Sequence, residues 1–201
     1  LEKTVRELRG ESCLTFEEVG KPKQQIMVSR SFGTTIADPQ AIKAAMTHHI
    51  SRAAEKLRAQ KSVCSMVYVM LRTNPFREKD IQYRRTLLVP LAHGSADTRV
   101  LMEAALKGLR QIFVPGLRYH KCGVMLSELE PAGKQQTDLF AAVDDPKRLR
   151  LMSLIDSINK AQGSGTIHMA STKLSAAWQM RAGDRSPHYT TCWDELPIAY
   201  A

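Results

Sequence analysis

Between residue 24 and about residue 130 the chain runs twice through one succession of periodicities. A two-residue alternation gives way to a three-to-four-residue apolar stripe, which gives way to a second two-residue stretch. That order, βαββαβ, leaves few solutions. The natural one is a four-stranded antiparallel sheet with two helices on one face and the other face open.

The first unit opens on a strand at 24–32 (QQIMVSRSF), where Ile26, Val28 and Phe32 alternate with Gln25, Met27, Ser29 and Ser31. One face suits a core, and the other presents amide and hydroxyl groups. Asp38-Pro39 caps a helix whose inward stripe is Ile42, Met46, Ile50, Ala53 and Leu57, with Lys43, Arg52, Lys56 and Arg58 outside. Residues 63–72 (VCSMVYVMLR) read as a central strand that Asn74-Pro75 stops. The second unit has a strand over 83–92, an Asp97-capped helix to about 113 and a last strand over 119–129. Pro90 falls near a strand end, where a missing donor costs least.

Around this core lie shorter segments. Residues 1–10 read as a helix ended by Gly10, and 11–23 as an extended tether. The chain begins without Met inside that helix, as a piece of a longer protein would. Residues 131–144 read as a linker. Asp145-Pro146 starts a helix with Leu151, Leu154, Ile155 and Ile158 as its stripe, and 165–171 (GTIHMAS) read as a short strand. The expectation for 145–201 is a small ordered α/β module, since its tail holds two Trp.

Lys plus Arg exceed Asp plus Glu by 29 − 20 = 9. An open, basic sheet face suits a polyanion. The candidate phosphate contacts are Lys21 and Lys23 at the entry of the first strand, Ser29, Arg30 and Ser31 on it, Arg72 at the end of the second, and Arg84 and Arg85 at the start of the third. An ordinary solvated strand with scattered charges is the plain alternative. An RNA-recognition domain shares the element order but needs aromatics on its central strands. Tyr83 at the edge of the third strand and Phe32, expected inward, do not supply them.

No catalytic constellation is present. Glu17-Glu18 and Asp144-Asp145 fall in tether and linker rather than at strand ends, and no Walker, Rossmann or G-x-S-x-G motif occurs. The four cysteines contain no C-x-x-C pair, so neither a disulfide framework nor a zinc site is expected, and no metal ligands are assigned. No apolar run reaches membrane-spanning length, and the expected location is the cytoplasm, without membrane partners.

The linker peptide Gln136-Thr137-Asp138-Leu139-Phe140 carries an amide followed by two apolar anchors. Inserted into a surface pocket, each anchor contributes roughly 1.5–3 kcal/mol before the ordering cost. The pentapeptide alone equally suits a Leu-Phe pair folded back on its own domain.

The blocks RELRGESCL (6–14), KQQIMVSRSFG (23–33), RAAEKLR (52–58), RYHKCGVML (118–126) and SPHYTT (186–191) give the whole chain a resemblance. It resembles the C-terminal half of the UmuC/MucB/RumB subfamily of Y-family translesion DNA polymerases, which includes the catalytic subunit of bacterial DNA polymerase V. The resemblance implies that 1–10 end the thumb, that 24–130 form the DNA-gripping little finger, and that 136–140 bind the sliding clamp. In this family Leu or a similar residue usually follows the Gln, so Thr137 is expected to weaken the grip. It further implies template–primer DNA, a UmuD′ dimer and RecA as partners, in SOS mutagenesis and DNA repair close to the nucleoid. The palm that holds Mg²⁺ has no counterpart here, so the resemblance implies no cofactor and no activity for this stretch alone. A stretch whose main job is protein recruitment is the alternative.

Overall fold

The computed structural model describes residues 2–13, 22–133, 145–173, 178–180, 186–189 and 191–196. A short helix, α1 (Glu2–Leu8), buries none of its residues. The body is built from β1 (Ile26–Ile36), α2 (Pro39–Ala59), β2 (Ser62–Thr73), β3 (Arg84–Ser95), α3 (Thr98–Ile112) and β4 (Tyr119–Pro131). α4 (Pro146–Gln162) follows.

The expected α+β class is what forms: one four-stranded sheet, antiparallel throughout, in the order β1-β4-β2-β3. β1 and β2 run parallel with β4 between them, and β3 and β4 run parallel with β2 between them. Each helix therefore crosses over an intervening strand, the split βαβ arrangement. Pro90 sits on β3, an edge strand, where its missing N–H is tolerated.

Both helices start where the sequence places their caps. Asp38 accepts from the backbone N–H of Gln40 and Ala41 at 3.1 and 3.0 Å, and Asp97 accepts from Arg99 N–H at 2.8 Å. These bonds satisfy amides that have no partner inside the helix. The stripe Ile42, Met46, Ile50, Ala53 and Leu57 is fully buried against Val67, Val69, Leu71, Val124 and Leu126 of the sheet. α3 adds Leu101, Ala105, Leu109 and Ile112. It comes so close to the sheet that a Cβ at Gly108 would sit 2.9 Å from a methyl of Val69 and one of Val89. Glycine permits that approach.

The C-terminal segment departs from expectation twice. Residues 165–171 form no strand. Gly163 and Gly165 have positive φ (106° and 87°), and the Asn159 amide both accepts from Ile167 N–H and donates to Ile167 C=O. That closes a side-chain-held turn, followed by a single 3-10 turn at Ala170–Lys173. The stripe of α4 also lies elsewhere. Leu151 and Leu154 are exposed, while Met152 is buried and Ile155, Asp156 and Asn159 are partly so. α4 packs on the charged side of α2, so the residue it needs there is Asp156, bonded to Arg58. Beyond α4, Ser171 Oγ lies 3.3 Å from Thr47 Oγ1 and Trp178 stands against His49, which explains why these two residues of α2 are buried with its apolar stripe.

Candidate nucleic-acid interface

Strand pairing sets which side chains share the open face. Registers Ser31↔Lys121, Lys121↔Arg72 and Arg72↔Arg84 align four residues in one row across all four strands. The next row reads Ser29, Gly123, Met70, Thr86, and the third Met27, Met125, Tyr68, Leu88. The helices pack against the alternate residues, so among the described residues this face carries no covering element.

The first row holds three cations directly opposite one another. Like charges so placed repel. Among the described residues Lys121, Arg72 and Arg84 form no ion pair that would offset this. His120, next to Lys121, feels the field. Burial first, and then the charges of Arg72, Arg77 and Lys121, hold its imidazole below the ordinary value.

Gly123 makes the second row possible. A Cβ there would lie 2.3 Å from Ser29 Cβ and 3.0 Å from Ser29 Cα. With glycine the two strands close up, and a shallow groove forms along Ser29, Met70 and Thr86. The third row is apolar, and Met27 at its end is 52% exposed. The face therefore pairs a cationic margin with a thioether-and-tyrosine floor that suits van der Waals contact.

Of the eight sequence-predicted contact residues, Ser31, Arg72 and Arg84 come together in the cationic row, and Ser29 lies in the row beside it. Arg30 and Arg85 do not join them. They pair with Cys122 and Leu71, both buried toward the helices, so they project to that side. Arg30 lies instead beside His48, His49, Arg52, Lys56 and Trp178. Lys23 is at the far end of the sheet, where its backbone N–H donates to the Gln60 amide oxygen at 3.0 Å and its carbonyl accepts from Gln60 Nε2 at 2.8 Å. Lys21 and the peptide Gln136–Phe140 lie outside the described residues.

Sequence reasoning missed Lys121, Met70 and Tyr68. Lys121 was within reach, because its strand neighbour Cys122 is an inward residue and alternation turns Lys121 out. Tyr68 places an aromatic on β2, an inner strand, where Phe32 of β1 and Tyr83 before β3 are not.

The loop from Asn74 to Tyr83 extends the cationic margin. Arg77 and Lys79 lie on it, and Arg118 donates to Asp80 at 2.8 Å.

No described helix is long and apolar enough to cross a membrane. Residues 149–199 match a domain of unknown function, DUF4113. The chain is 41% identical over 200 residues to protein SamB of Salmonella typhimurium and 38% over 199 to protein UmuC of Salmonella typhimurium strain LT2. It is 39% identical over 201 residues to protein MucB of Escherichia coli. These matches take in 98–99% of the chain but 47% of each relative, so the chain spans about half the length of the proteins it is similar to. Residues 23–139, the whole sheet and both helices packed on it, match the impB/mucB/samB family C-terminal domain, and the chain belongs to that family of UmuC-type Y-family polymerases.

Proposed function

We propose that this chain is the DNA-gripping and recruiting part of a UmuC-type translesion polymerase, and that the open sheet face lies along template–primer duplex. One observation carries the reading: Lys121, Arg72 and Arg84 stand in register with no described carboxylate between them. A polyanion relieves that repulsion. The four-strand row spans about 14 Å, comparable with a major groove of about 12 Å, so its ends reach phosphates on both strands. Ser31 and Ser29 add neutral hydroxyl contacts, and the Met–Tyr floor packs without reading base edges. Contacts of this kind position without specifying, as a polymerase that accepts any template requires.

In this proposal residues 24–130 are the little finger, 1–10 end the thumb, and 145–201 form the terminal module. The peptide Gln136–Phe140 hooks the sliding clamp, with a UmuD′ dimer and RecA as further protein partners in the bacterial cytoplasm. The polymerase reaction, with its Mg²⁺, belongs to the whole protein.

The test is the salt dependence of duplex binding by the 201-residue chain. Each cation withdrawn from a phosphate reduces the log–log slope by about 0.9. Replacing Arg72, Arg84 and Lys121 by Ala is expected to flatten it by nearly three, while Arg30→Ala with Arg85→Ala leaves it unchanged. An unaltered slope in the triple variant rejects the sheet face as the site.

A further inference from the structure

We infer that the loop between β2 and β3 carries a base-stacking side chain, Phe76, which covers the free face of an unpaired base beside the phosphates held by the cationic row. The inference rests on the nucleic-acid reading above and adds a preference to it: single-strand–duplex junctions over continuous duplex.

Phe76 is 89% exposed, the most exposed large apolar side chain among the described residues. A slack loop would fold such a ring back onto the body. This loop is not slack. The Phe76 N–H donates to Asn74 Oδ1 at 3.0 Å, and Gln82 Nε2 lies 3.0–3.2 Å from the carbonyls of Asn74, Arg77 and Asp80. The Asp80 N–H donates to Arg77 C=O at 3.0 Å, and the Asp80 carboxylate is tied to Arg118. The loop spends its polar groups on its own shape and holds the ring in water.

What surrounds the ring selects its partner. With Asp80 neutralised by Arg118, Glu78 remains against Arg77, Lys79 and Arg84 on the same stretch. The loop leaves β2 directly after Arg72 of the cationic row. Arg72 stands directly opposite Lys121 on one side and Arg84 on the other, so the loop springs from the middle of the row. An aromatic face next to convergent cations is the arrangement that binds single-stranded nucleic acid, the ring taking a base and the cations its backbone. Bases inside a duplex have both faces covered by neighbours. The first unpaired base past a primer end has one face free.

The experiment uses the 201-residue chain and two probes at one salt concentration. One is a primer–template carrying 2-aminopurine at the first unpaired template position, and the other is a closed dumbbell duplex without ends. The expected result is quenching of the 2-aminopurine by the wild-type chain, and loss of that quenching in Phe76→Ala together with about tenfold weaker junction binding. Dumbbell affinity should stay within twofold, and Phe76→Trp should restore the quenching. Junction affinity and fluorescence unchanged in Phe76→Ala overturn the inference while leaving the sheet-face reading standing. Failure of the wild-type chain to bind either probe overturns both.

Discussion

Arg58, on the outer side of α2, donates from Nε to Asp156 Oδ2 at 2.6 Å and from Nη2 to Asp156 Oδ1 at 2.7 Å. The remaining Arg58 nitrogen, Nη1, donates to Ala96 C=O and Thr98 Oγ1, both at 2.9 Å. One guanidinium thus joins α4, α2 and the start of α3. A two-pronged, charge-assisted pair of this kind is stronger and more directional than a single contact.

Removing one partner of that pair should loosen the terminal segment before the sheet. Asp156→Ala leaves the partly buried guanidinium of Arg58 short of an acceptor, and is expected to cost about 2–3 kcal/mol. Limited proteolysis should then cut within 145–173 at a rate at which the sheet stays whole. Equal protection of α4 in variant and wild type would refute the role given to the pair.

His49 makes stability depend on pH. It is 2% exposed on α2, with neither ring nitrogen bonded among the described residues, and Trp178 edge-on at 5.8 Å. Burial, then the charges of His48 and Arg30, lower its value from 6.5 to about 4. The unfolded chain therefore binds the proton more readily than the folded one. Stability is fully present above pH 6.5 and falls as the pH drops from there toward 4, by on the order of 3 kcal/mol. Urea midpoints measured across that range should decline in the wild type and flatten in His49→Leu.

The thiols should divide into two classes. Burial pushes Cys64 up to about 12 and Cys122 well above its ordinary value, whereas Cys13 and Cys192 are partly exposed. The thiolate is the reactive species. With a maleimide at pH 8, Cys13 and Cys192 should label in the native chain and the other two only after denaturation. Rapid native labelling of Cys122 would mean that the face of the sheet beneath α2 opens readily.

Gly123→Ala should separate β1 from β4. The new methyl would meet Ser29 at both Cβ and Cα, and the backbone atom cannot swing away. A loss of about 1–3 kcal/mol is expected, part of it recovered by Ser29→Gly in the same chain. Full additivity of the two substitutions in a double-mutant cycle would place the strain elsewhere.

For the proposed clamp hook, Phe140→Ala with Leu139→Ala should abolish pull-down by a bacterial sliding clamp and leave the salt slope of duplex binding untouched. Retained pull-down would assign clamp binding to another surface.

Element order, caps and the inward stripes of both helices were readable because each rests on local chemistry. Asp38 and Asp97 cap the helices on which they were placed. Which strand lies beside which was not readable, since it depends on pairings such as Arg72 with Lys121, far apart in sequence. Arg30 and Arg85 went astray for a simpler reason. Sequence neighbours of a correct residue in a strand point the other way, so proximity to Ser29 or Arg84 argues against a shared face. In β2 alternation is no guide, because Val67 and Met66 or Val69 and Tyr68 are all apolar, and only the sheet's position decides which row is covered. On α4 the apolar pattern misled because its partner surface is the cationic side of α2, which draws in Asp156 and leaves Leu151 and Leu154 in water.

β4 is made after the other three strands yet takes a place between β1 and β2. Until Tyr119 and the residues after it have been made, β1 has no partner in the sheet, and only the β2–β3 hairpin can form. A chain emerging from a ribosome therefore holds its first strand in waiting for about eighty residues of further synthesis. Any stop before β4 yields a product whose core lacks Tyr119, Cys122, Val124 and Leu126, which makes truncated copies ready prey for cellular proteases.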